Sequence, residues 1–122
     1  MKQYVAVYGS LRACLSNHYL LEESNCIGTF VLNLPYTMIS LISFPALIKT
    51  ERTNNITVEI YEINNETLKR LDYLEGYPSF YNRELISVNG IKAWIYYIND
   101  SHEFKNDIVQ SGDWKKHSLH QI

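Results

Sequence analysis

Apolar positions alternate with polar ones along most of this chain, and the alternation is broken by short polar or small-residue clusters. Residues 3–8, rich in Val and Tyr, read as a first strand that ends at Gly9-Ser10, with Arg12 just behind. Residues 9–17 read as a loop, and "SNHYLLEES" carries one or two helical turns with Ser16 or Asn17 as N-cap. Strands follow at 26–33 and 36–42, separated by a turn at "NLP". "FPALI", 44–48, suits an edge or a strand start, because proline cannot donate to a ladder. "ERTNN", 51–55, reads as a polar turn before the β-branched strand "ITVEIYEI", 56–63.

The spacing then changes from two to three. In "NNETLKRLDYLEG", Leu68, Leu71 and Leu74 share one face of a helix and are expected in the core. Asn64 or Asn65 caps its start, Glu66 lies in its first turn, and Gly76 stands past its end. Strands return at 80–88 and 91–98, joined by Asn89-Gly90, a two-residue hairpin signal. The tail from Asn99 is polar and contains "SGDW", 111–114. Many strands with one good helix predict a single α+β domain over residues 1–122, a small mixed β-barrel or sheet with one main helix packed on it.

Composition narrows the class. Of 122 residues, 46% are hydrophobic, enough for a real core. A formal charge of −2 leaves no basic footprint, so neither nucleic acid nor an anionic membrane is expected as a partner. Cys14 and Cys26 form neither a Cys-x-x-Cys pair nor a disulfide framework, and read as free thiols of a reducing compartment. The N-terminal apolar run is too short for a signal peptide or a membrane span. A cytoplasmic protein is expected.

Two places carry candidate chemistry. The Gly9 turn reads either as punctuation or as a nest in which the Gly9, Ser10 and Leu11 N–H groups meet at one anion. Glu75 lies near the apolar face at the negative end of the helix. That position would raise its pKa towards the range of a general acid or base; the plain alternative is a solvated Glu before the Gly cap. Asp72 is expected to pair on the surface with Lys69 or Arg70. Tyr77, Phe80 and Tyr81 wall a small pocket or pack in the core, and Arg83 forks onto a carboxylate or joins a rim salt bridge. His18 alone among the histidines lies near these positions; His102, His117 and His120 fall in the tail. No metal, cofactor, Walker loop or nucleophile elbow is indicated.

Taken together, "VYGSLR", "NHYLL" at 17–21, "FPALI", "VEIYEINNETLKRLDYLEGYPSFYNR" at 58–83 and "SGDW" resemble the γ-glutamylcyclotransferase-like superfamily. The similarity is greatest to its small members near γ-glutamylamine cyclotransferase. The resemblance implies a cofactor-independent enzyme that cyclises a small γ-glutamyl substrate to 5-oxoproline. It also implies that Tyr8, Gly9, Ser10 and Leu11 bind the glutamyl end, that Tyr81 joins them, and that Glu75 is the general acid/base. Val58 departs from the family pattern, which has Gly there; its side chain either crowds the cavity or fills core. Two other readings are a binding module with the same pocket and no turnover, and a partner-binding accessory protein that uses an exposed tail with Trp114.

Overall fold

The computed structural model describes residues 2–98 and 107–119, with the backbone alone described at 118 and 119. Five strands form one mixed sheet. They are β1 (Gln3–Val7), β2 (Asn25–Ser40), β3 (Pro45–Ile63), β4 (Asn82–Val88) and β5 (Ile91–Tyr97), in the order β2-β3-β1-β5-β4. All pairings are antiparallel except β1 with β5, where Val5 faces Trp94 and Ala6 faces Ile95. A 3-10 helix spans His18–Leu21, α1 spans Asn65–Glu75, and α2 spans Trp114–Leu119. The α+β class agrees with the expectation from sequence. The sheet does not close into a barrel; the far half of the β2–β3 ribbon instead bends over until the Ile98 N–H donates to the Leu47 carbonyl at 2.8 Å.

Two expected breaks are absent, and they lie opposite each other. β2 runs straight through "NLP" and β3 through "ERTNN". Leu34 pairs with Asn54 and Tyr36 with Lys49, so the register slips between them, and residues 50–53 bulge out opposite Pro35. A proline that cannot donate and a polar stretch with nothing to bury share one irregularity, and the ribbon continues past it. The hairpin at Asn89-Gly90 is as expected, with φ of 48° and 83°.

The side chain of Asn64 accepts from the Thr67 N–H at 2.8 Å and caps α1, and Gly76 closes it in the left-handed region at φ 66°. Leu68 and Leu71 enter a core cluster with Val5, Val7, Tyr61, Ile63 and Tyr96. Leu74 does not follow them; it is 39% exposed, because the third turn of the helix overhangs a cavity. Val58 is fully buried with Ile56, Ile60, Ala93 and Ile95 in a second cluster and does not line that cavity, so it fills core.

The polar tail is not a loose appendage where it is described. Residues 107–109 bond the edge of β2, with Ser40 N–H donating to Asp107 O at 2.7 Å and Val109 N–H to Met38 O at 2.8 Å. Gly112 presses against β3: its carbonyl accepts from Thr57 N–H at 2.8 Å, and a Cβ there would fall 1.7 Å from Asn55 O. Trp114 is 5% exposed within the second cluster. This corrects the reading of an exposed tail that offers Trp114 to a partner.

Candidate active site

Pairing of β1 with β3 on one side and β5 on the other brings the C-terminal end of β1 to the centre of the sheet. There the chain leaves the sheet at Tyr8 and enters the loop over a cavity of about 440 Å³. Tyr8, Gly9, Ser10 and Leu11 line it from the loop, Glu75 and Tyr81 from the end of α1 and beyond, and Tyr96 from β5. All six residues singled out from sequence therefore meet at one cavity.

The loop is tied down by its own later part. Arg12 N–H donates to Gly9 O at 3.0 Å and Asn17 N–H to Ser10 O at 2.9 Å, while the Asn17 side-chain amide donates to Ser10 Oγ at 2.8 Å. Asn17 is the N-cap residue of the 3-10 helix, as expected, but its side chain braces the turn and makes no cap bond. His18 Nδ1 donates to the Leu11 carbonyl at 2.9 Å. Gly9 is required by close approach rather than by its φ: a Cβ would meet the ring carbons of Pro45 at 2.8 Å.

Arg12 points away from the cavity. Its Nε donates to Glu59 Oε2 at 2.9 Å and its Nη1 to Asp113 Oδ1 at 3.0 Å. Glu59 also accepts from the Ala13 N–H and the Tyr61 hydroxyl, each at 2.8 Å, and lies 3.5 Å from Lys115 Nζ. Burial would push the Glu59 carboxyl up, but the Ala13 N–H, Arg12 and Tyr61 together hold it below 4.5. The arginine behind the turn fastens this loop to β3 and, through Asp113, to "SGDW".

Glu75 is mostly buried, and burial alone raises its pKa from 4.5 to about 7. Three tyrosines surround it, and each hydroxyl proton is committed elsewhere. Tyr8 donates to Tyr96 O at 2.8 Å, Tyr81 to Pro45 O at 2.8 Å, and Tyr96 to Asp72 Oδ1 at 2.7 Å. Burial and the charge of Glu75 push the Tyr81 phenol up, so it stays protonated. No tyrosine proton is spent on Glu75, and its carboxylate keeps its basicity.

Asp72 does not pair with Lys69 or Arg70. Arg83 forks onto it at 2.9 and 3.2 Å, and Arg70 faces Glu66 instead. The reason is tertiary: Arg83 is stacked between Tyr77 and Trp94, 4.4 and 4.1 Å from their ring centres, and is delivered to Asp72 by β4. Phe80 and Tyr81 wall the cavity as expected, whereas Tyr77 packs on Arg83. Tyr96 went unnoticed in the sequence, and Phe44 and Pro45 read there as part of a strand start rather than as cavity walls. Only the pairing of Ala6 with Ile95 and the turn after β2 bring them here, and neither leaves a local signal.

His117 stacks on Trp114 at 5.3 Å, and His102 and His120 lie outside the described residues. Cys14 and Cys26 are free, exposed thiols, and no metal-binding group of His, Cys, Asp or Glu occurs among the described residues. No described helix is long and apolar enough to cross a membrane.

The sequence profile of the family described as "Gamma-glutamyl cyclotransferase, AIG2-like" matches residues 5–116. The chain belongs to that family. The Escherichia coli K12 "Gamma-glutamylcyclotransferase family protein YtfP" is 32% identical over 111 residues, covering 90% of this chain and 94% of its own. The solution structure of E. coli ytfP superposes with a TM-score of 0.72 at 28% identity, over 97% of this chain and 99% of that one. A mouse aig2-like protein gives a TM-score of 0.81 over 99% and 93% of the two chains; at 21% identity it speaks for the fold alone.

Proposed function

We propose that this protein cyclises a γ-glutamyl amide to 5-oxoproline and releases the amine, with Glu75 as general acid/base. The observation that carries the reading is the convergence of one isolated carboxylate, titrating near 7, with the Tyr8–Leu11 loop on a single cavity in a cyclotransferase-family fold.

The α-carboxylate of the substrate is held by the N–H groups of Gly9, Ser10 and Leu11; the bonds internal to the loop begin only at Arg12 N–H and leave these three for a ligand. Tyr81 supplies an oxygen lone pair to the α-ammonium, its own O–H being donated to Pro45 O. Glu75, ionised, takes a proton from that ammonium. The amine then attacks the γ-carbonyl of the same molecule and forms the ring C–N bond, helped because both groups are already joined and oriented. Backbone N–H groups stabilise the oxyanion. The amide C–N bond breaks as Glu75 returns its proton to the departing nitrogen; the ring nitrogen then gives up its second proton, which Glu75 passes to the released amine, and the enzyme ends as it began. The reading supposes a small-molecule substrate and calls on no cofactor.

Product identity tests the reaction class. The protein is incubated with γ-glutamyl amides in ¹⁸O-water and the products are weighed by mass spectrometry. Cyclisation gives unlabelled 5-oxoproline, and hydrolysis gives glutamate carrying ¹⁸O. Labelled glutamate overturns the proposal. Thermal stabilisation by the same amides with no product points to a binding module instead.

A further inference from the structure

We infer that the amine released is apolar, an alkyl or arylalkyl amine without a carboxylate; this rests on the cyclotransferase reading above. Two features of the cavity beyond the glutamyl-binding loop carry it.

The first is charge. Among the described residues that line the cavity, Glu75 is the only one with a charged side chain. The nearby guanidinium groups are committed, Arg12 to Glu59 and Asp113, Arg83 to Asp72. A leaving group with a carboxylate would bring a second negative charge beside Glu75 with no cation among the described lining residues to meet it, which is costly in a partly desolvated site.

The second is the rim. Leu74 and Phe80, from the end of α1 and the turn after it, face the same cavity as Phe44 from the turn between β2 and β3. Phe80 is 49% exposed, yet it is held in place. Its N–H donates to Gly76 O at 2.8 Å, and its ring stands edge-on to Tyr81 at 4.9 Å. Beside Phe44, Ile42 is 87% exposed at a φ of 76°, a conformation that β-branched residues rarely adopt. The left-handed backbone at Ile42 and the exposed ring of Phe44 share the turn between β2 and β3, and Phe44, Leu74 and Phe80 give the cavity an apolar rim.

The test compares kcat/KM for 5-oxoproline release from γ-glutamyl isopentylamide, γ-glutamyl phenethylamide, γ-glutamylglycine and Nε-(γ-glutamyl)lysine. The two apolar amides should exceed the others by about tenfold or more. Phe80→Ala and Leu74→Ala should each shrink that ratio, chiefly through KM. Equal or reversed preference overturns the inference and leaves the cyclotransferase reading intact. So does a ratio unmoved in both variants, including the case where they change only self-association by light scattering. No 5-oxoproline from any of the four overturns the cyclotransferase reading and this inference with it.

Discussion

Glu75→Gln should make the protein more stable while it removes activity, and the gain should depend on pH. A carboxyl that titrates near 4.5 when unfolded and near 7 when folded opposes folding once the unfolded chain can ionise. Below about pH 4.5 both states hold the proton and the group contributes nothing. Between 4.5 and about 7 the unfolded chain has lost the proton that the folded one keeps, so stability falls as pH rises. Above about 7 both states are ionised and the full cost stands. The gap from 4.5 to about 7, at about 1.36 kcal/mol per pH unit, gives a cost of about 3 kcal/mol. Gln has nearly the same shape and no charge to desolvate. Urea unfolding of wild type and Glu75→Gln at pH 5, 6, 7 and 8 measures the difference. A gap of about 1 kcal/mol or less at pH 5 that opens to about 3 kcal/mol by pH 8 is expected. A gap of one size at every pH, or a variant less stable at pH 8, would refute the claim that burial holds this carboxyl up.

Removing Arg12 leaves Glu59 buried without its nearest ion-pair partner; Arg12→Ala should cost about 3 kcal/mol by urea unfolding. Pairing Arg12→Met with Glu59→Gln should recover part of that loss. Gly9→Ala places a methyl 2.8 Å from the Pro45 ring and should cost about 1–3 kcal/mol in stability. It should also lower kcat/KM, because the Pro45 carbonyl holds the Tyr81 hydroxyl. Trp114→Ala removes a buried side chain of the tail and should lower stability by about 3–5 kcal/mol; an unchanged Tm would contradict its place in the core. In steady-state assays, kcat/KM of the wild type should rise with pH and level off above about 7, the side on which Glu75 is ionised.

Local chemistry made much of this structure legible. Asn64, Gly76 and Asn89-Gly90 each act within a few residues of their own position, and each did what its side chain or backbone freedom requires. Glu75 was legible for a different reason. Helix spacing placed it at the edge of the apolar face and the family's motif order chose the same residue, although burial alone, and not the helix end, raises its pKa. What stayed hidden depends on pairing across the fold. Pro35 and residues 50–53 look like turns singly and become one bulge only when β2 and β3 meet. Asp72 finds Arg83 because β4 returns past α1, against the local preference for Lys69 or Arg70. Trp114 and Gly112 sit in a polar stretch, and nothing nearby announces that β3 and the second core cluster receive them.

The account stands or falls on whether Glu75 moves the proton. The direct measurement is turnover of a γ-glutamyl amide to 5-oxoproline by wild type and Glu75→Gln, side by side at pH 8, each checked for folding by circular dichroism. The expected result is a folded variant slower by about 10²–10⁴-fold. A folded Glu75→Gln with wild-type turnover would contradict it.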